Sequence, residues 1–227
     1  MKVILSVLLL LVSIAVAGQS DEILTPPRAL FKVAPQNFIA NTLKVGVEVF
    51  NKTRSKSYSL YLYGRLDSDN NANQPNYYGD YYYKGLGSEF QYRKYISPIK
   101  SYSTRRGKNY LQGIYVSGYL QGASYVNDGD FIFSSYDQNT GQRSQTLITI
   151  NETTRNGGTG FTIGVQRTLW NVLFIDAYVG GGVQWSDVNK TITPSIPVNA
   201  YYGYYFITDP GYQGIMPKFG LQLGIAL

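Results

Sequence analysis

The last residues of the chain alternate strictly. Phe219, Leu221, Leu223, Ile225 and Leu227 fall on one face of an extended segment, and Gly220, Gln222, Gly224 and Ala226 on the other. A two-residue period is that of a β-strand with two unlike faces. The period recurs upstream. Leu43, Val45, Val47 and Val49 alternate with Lys44, Gly46, Glu48 and Phe50, and Leu60, Leu62 and Leu66 with Tyr61, Tyr63 and Arg65. Ile114, Val116 and Leu120 alternate with Tyr115, Ser117, Tyr119 and Gln121, and Ile163 and Val165 with Thr162, Gly164 and Gln166. Ile175, Ala177, Val179 and Val183 alternate with Asp176, Tyr178, Gly180 and Gly182. One face is aliphatic throughout; the other is small, polar or charged.

The connections alternate between short and long. Asn51–Lys56, Ser97–Lys108 and Thr168–Asn171 are short; Asp67–Tyr83, Ala123–Gly158 and Trp185–Gly214 are long. A first strand over Ala29–Asn37, turning at Phe38–Asn41, brings the count to eight with both termini on one side. Pro35 is awkward there, because proline is tolerated in sheets only at edges and bulges. Alternating segments, an even strand number and turns of unequal length predict an all-β fold: an eight-stranded antiparallel up-and-down transmembrane β-barrel with short periplasmic turns and long extracellular loops.

The N-terminus fits that destination. Lys2 precedes the apolar run Val3–Val16, and Ala15-Val16-Ala17 is a small-x-small cleavage pattern, so residues 1–17 read as a cleaved signal peptide. Residues 18–28 are a short periplasmic lead, and 29–227 a single barrel domain. An N-terminal anchor is the alternative, but the run is shorter than the ~20 residues that cross a bilayer.

Composition removes most catalytic chemistry. With no Cys and no His there is no disulfide framework, thiolate, imidazole metal site or Ser-His-Asp triad. Tyr (22) and Gly (24) are in excess, a mixture that suits strands and turns. The net charge of +6 is not a nucleic-acid stripe. Its excess sits in two tight turns, Asn51–Lys56 and Arg93–Lys108, which carry basic residues and no acidic one, whereas the long loops collect Asp67, Asp69, Asp80, Asp128, Asp130 and Asp137. No nucleic-acid partner is expected.

Several segments resemble one another's counterparts in a known group. Phe31–Pro35 leading into Thr42–Phe50 and then Ser57-Tyr58-Ser59-Leu60, with Leu111–Val116, Ile175–Gly182 and Pro217–Leu227, is similar to small outer-membrane β-barrel proteins of Bacteroidetes type. The resemblance spans most of the chain beyond the leader, and its motifs are short. It implies a Gram-negative outer-membrane location, with lipid and lipopolysaccharide as surroundings, and supplies no catalytic residues. One departure is the final Leu227, where such strands most often end in Phe or Trp.

Two sets of residues are candidates for function. Glu48, Asp176 and Glu89 fall on the polar faces of their strands with Lys44, Arg65, Arg93 and Lys218. Buried charge is costly unless paired, so these should form an interior ionic network, with Glu48–Arg65 one of its pairs. That network fills and rigidifies a narrow barrel; the sharper alternative makes Glu48 and Asp176 a proton or ion relay. The second set is the clusters Tyr77, Tyr78, Tyr81, Tyr82, Tyr83 and Tyr201, Tyr202, Tyr204, Tyr205. They read either as an interfacial aromatic girdle or as a contact surface for another outer-membrane protein or a glycan. Asp67, Asp69, Asp128 and Asp130 read as solvated loop charge, and no metal or cofactor is expected.

The expectation is therefore a non-enzymatic outer-membrane barrel, structural or accessory to a larger complex. An outer-membrane lipid-modifying or protease-type enzyme is one rival, made difficult by the missing His. A secreted soluble β-barrel or sandwich is the other; it would turn its aliphatic faces to a second sheet.

Overall fold

The computed structural model describes residues 28–53, 55–69, 81–98, 113–136, 141–169, 173–194 and 209–227. Eight antiparallel strands form one sheet that rings round on itself: β1 Ala29–Val33, β2 Thr42–Phe50, β3 Lys56–Asp69, β4 Tyr81–Pro98, β5 Gly113–Tyr136, β6 Arg143–Leu169, β7 Leu173–Thr193 and β8 Gly214–Ala226. Each strand pairs with its neighbours in sequence, and β1 closes the ring on β8 through Leu30↔Ala226 to Val33↔Leu223. Backbone bonds from Phe50 to Arg28 and from Leu227 to Ala29 extend the seam. The described residues contain no α-helix.

The boundaries depart from the expectation in two directions. β1 stops at Val33, and Pro35–Ala40 forms a 3-10 turn rather than the end of a strand, with Asn41 in the left-handed region. Proline's fixed φ and missing N–H suit the first position of such a turn and spoil a ladder. The long connections, in contrast, are shorter than expected. β3 runs on to Asp69 and β4 starts at Tyr81; β5 and β6 cover most of Ala123–Gly158, and β7 continues to Thr193. β5, β6 and β7 are 24, 27 and 21 residues long. About 9–11 residues of tilted strand cross a bilayer's hydrocarbon core, so one side of the ring rises far above the other. Asp128, Asp130, Glu152, Arg155, Asp187 and Lys190 lie on these extensions, not in loops.

Glycine and tyrosine are paired across the sheet. Tyr61, Tyr63, Tyr115, Tyr119, Tyr125 and Tyr178 each stand directly opposite a glycine: Gly46, Gly87, Gly164, Gly160, Gly85 and Gly220 in turn. A Cβ on Gly87 would meet the Tyr63 ring, and one on Gly46 would meet the Tyr61 ring and lie 2.6 Å from the Leu60 carbonyl oxygen. The glycines thus make room for tyrosine rings inside the ring of strands, a side-chain arrangement that pins register. Tyr61, Tyr115, Tyr119 and Tyr178 are buried interior side chains, a use of tyrosine separate from the clusters that the sequence singles out.

The outer face of the lower ring is apolar on every long strand. Leu43, Leu60, Leu62, Leu86, Phe90, Leu120, Phe161, Ile163, Val179 and Phe219 are all exposed. Above it, the outer faces of β5, β6 and β7 become mainly polar: Ser124, Asp128, Gln145, Asn151, Arg155, Asp187, Asn189 and Thr191 are exposed, with Val126, Leu147 and Trp185 as apolar exceptions. Inside the extension the reverse holds, with Ile148 and Ile150 buried.

Candidate functional site

All eight strands send a side chain into one polar cluster. Alternation points Lys32 (β1), Glu48 (β2), Tyr61 (β3), Arg93 (β4), Tyr115 (β5), Gln166 (β6), Asp176 (β7) and Gln222 (β8) inward, and all of them have 0% relative exposure. Lys32 Nζ lies 2.5 Å from Glu48 Oε2 and 2.8 Å from Asp176 Oδ2, and donates to Gln166 Oε1 at 2.6 Å. Arg93 Nη1 is 2.5 Å from Asp176 Oδ2 and 3.5 Å from Glu48 Oε2. The remaining oxygens are filled by hydroxyls. Ser57 and Tyr95 donate to Glu48 Oε1 at 2.5 and 3.0 Å, and Tyr115 donates to Asp176 Oδ1 at 2.6 Å. Tyr61 donates to Gln222 Oε1 at 2.8 Å, and the Arg93 guanidinium sits 4.5 Å over the Tyr115 ring centroid.

Two cations therefore face two carboxylates, each carboxylate oxygen accepts, and the cluster is neutral. That is the condition under which burying ions is tolerable. The contacts also span great distances in sequence, 144 residues for Lys32 to Asp176 and 161 for Tyr61 to Gln222.

A second cluster lies beside the first. Lys44 Nζ and Lys218 Nζ share Glu89 Oε2 at 2.7 and 2.8 Å, and Gln91 donates to the other Glu89 oxygen. Lys218 also donates to Gln121 Oε1 at 2.9 Å and stands 3.5 Å from the Tyr119 ring centroid, while Lys44 is 5.1 Å from that of Tyr61. Two lysines share one carboxylate here, and tyrosine faces offset part of the excess charge.

The structure brings Glu48, Asp176 and Arg93 together in the first cluster, and Lys44, Glu89 and Lys218 in the second. It does not pair Glu48 with Arg65. Ser59 is opposite Glu48, and Arg65 stands six residues further along β3, opposite Thr42. At ~3.3 Å per residue the two are about 20 Å apart along the sheet. Glu48 is paired instead with Lys32 and Arg93. Lys32 is the residue the sequence reading missed. Its strand is five residues long and runs into Pro35, so alternation there gives only Leu30 and Lys32 to read.

Tyr81, Tyr82 and Tyr83 open β4, their backbone paired with Asp69, Ser68 and Asp67. Tyr77, Tyr78, Tyr201, Tyr202, Tyr204 and Tyr205 lie outside the described residues. Among the described residues, no three His, Cys, Asp or Glu side chains come together as a metal site. An aromatic group does stand on the outer face: Tyr58 stacks on Phe90 and tilts against Tyr92, with centroids 6.3 and 5.4 Å apart. No family model, curated protein or solved structure matches this chain.

Proposed function

We propose that the protein is an integral outer-membrane β-barrel without enzymatic activity, structural in the envelope or accessory to a larger outer-membrane complex. The observation that carries this reading is the polarity of the outer face. Exposed Leu, Ile, Val and Phe surround the lower ring, and among the described residues no second layer lies over them. A bare apolar face of this extent marks a contact with another apolar medium, and one that runs right round a closed ring of strands fits hydrocarbon. The rise of β5, β6 and β7 into a region with polar outer faces then reads as a projection above the bilayer.

The interior clusters support a structural role over a relay. Each of Glu48 and Asp176 is engaged by two cations and at least one hydroxyl, which fixes them as cross-links between strands. Docking is assigned to the tyrosine-rich segments around residues 77–83 and 201–205. A tag placed in residues 137–140, between β5 and β6 and outside both segments, and a pull-down from detergent-solubilised outer membranes tests the accessory role. A partner recovered in stoichiometric amount supports it; recovery of the barrel alone removes it and leaves a free-standing envelope protein.

A further inference from the structure

The geometry points to a binding site for one anionic glycerophospholipid on the outer face of β4, β5 and β6, with the phosphate at Lys56 and Lys94 and an acyl chain lying over Gly118. This rests on the membrane reading above and goes beyond general contact with lipid. Lys56 on β3 and Lys94 on β4 are directly paired across the sheet, both exposed. Like charges opposite one another on a sheet are destabilising, and among the described residues neither has an ion-pair partner. A phosphate between them removes the repulsion.

Lys94 is also one end of a depression of about 550 Å³ in the outer wall. Gly118 is its floor, with Tyr92 on one side and Phe161, Ile163 and Val179 on the other. On the outer face of β5 Gly118, between the exposed side chains of Val116 and Leu120, leaves a dent that Tyr92, Phe161, Ile163 and Val179 surround. The dent is not forced by packing, because a Cβ on Gly118 would meet Phe161 at an ordinary 3.7 Å. Tyr58, Phe90 and Tyr92 stand next to the lysine pair, the aromatic neighbourhood of a headgroup layer. The site lies at the end of the ring where β1 begins, β8 ends and β2 turns into β3, so the lipid it fits belongs to the leaflet on that side. An apolar trough ending in a pair of cations matches a single acyl chain with an anionic head.

Native mass spectrometry of the full chain, folded in detergent micelles and titrated with phosphatidylglycerol or phosphatidylcholine of the same chains, tests this. The expected result is one phosphatidylglycerol retained per barrel in preference to phosphatidylcholine. Lys56→Gln with Lys94→Gln weakens retention about fivefold for each lysine removed. Gly118→Leu, which changes no charge, also weakens it by filling the trough; Gly118→Ala serves if the larger side chain disturbs folding. Equal retention of the two lipids, or retention unchanged when Gly118 is filled, overturns the site while leaving the barrel reading intact. A dimer peak lost on filling Gly118 overturns it too, by making a second copy the occupant. A chain that gains no heat-modifiable folded form in micelles or phosphatidylcholine vesicles overturns the membrane reading, and this site with it.

Discussion

The lower ring and the tall β5–β6–β7 extension are built from the same strands with opposite polarity. Below, Leu120 and Val165 face out and Tyr119, Gln166 and Asp176 face in; above, Asn151 and Arg155 face out and Ile148 and Ile150 face in. The backbone ladder is continuous through the change, since β5 and β6 pair without a break from Gly113↔Gln166 to Tyr136↔Arg143. Hydrogen bonding therefore does not distinguish the two regions. On the membrane reading proposed above, what changes is the medium that each face has to satisfy. A ring whose outside is hydrocarbon can bury its charges only inside, where they must pair, whereas an extension in water keeps its apolar side chains inside.

The largest effect should come from the interior of the lower ring. Arg93→Ala leaves Glu48 and Asp176 each short of a cation at 0% exposure. Breaking one partner of a buried pair costs about 3–5 kcal/mol. We expect the folded, heat-modifiable band to disappear at temperatures where the parent keeps it, and urea midpoints in vesicles to fall accordingly. Glu48→Ala should act in the same direction, by leaving Lys32 and Arg93 to share the single carboxylate of Asp176. Unchanged midpoints in both would mean that the cluster carries no structural weight.

The comparison is sharpest at two leucines of equal exposure. Leu120 and Leu147 both face out and are both 57% exposed, one on the lower ring and one on the extension. Leu120→Arg should cost about 2–4 kcal/mol, the range for a cation facing lipid near the bilayer centre, and Leu147→Arg close to nothing. Equal effects on unfolding would erase the distinction between the regions.

Glycine–tyrosine packing comes next. Gly87→Ala drives a Cβ into the Tyr63 side chain, which supplies its nearest atoms, an overpacking of about 1–3 kcal/mol. Combined with Tyr63→Ala, part of that loss should return, and a double-mutant cycle measures the coupling. The smallest effect belongs to the extension's own ion pair. Glu152 and Lys190 are 3.6 Å apart with side chains 13% and 26% exposed, so Glu152→Gln should change stability by less than about 1 kcal/mol.

How much of this was legible in the sequence follows the same division. Strands β2 and β8, and the lower parts of β3, β5, β6 and β7, could be read because an aliphatic face alternates with a polar one, as in Leu43–Phe50 and Phe219–Leu227, whereas β4 was implied only by the connections on either side of it. The extensions could not. In Asp128–Asp130 and Asn151–Arg155 the outward residues are polar and the inward ones mixed, so the aliphatic stripe that marks a lipid-facing strand is missing and the segments look like loops. Glu48, Asp176, Arg93, Lys44 and Glu89 were legible as inward charges from alternation alone. Their partners were not, because pairing depends on how far the strands are staggered around the closed ring. Glu48 and Arg65 are close in sequence and on adjacent strands, yet Lys32, from the shortest strand, and Arg93 are what reach the carboxylate.

The central claim is that the polarity change on the outer face marks the edge of a bilayer, and the absence of cysteine allows a clean test of it. Single cysteines at Leu120, Val165, Gln145 and Asn151 can each carry a nitroxide in the protein reconstituted in vesicles, and power-saturation spectroscopy compares its access to oxygen and to a water-soluble nickel chelate. The account predicts that labels at 120 and 165 meet oxygen and are shielded from nickel, and that labels at 145 and 151 show the reverse. Nickel access at all four sites would place the whole ring in water and contradict it.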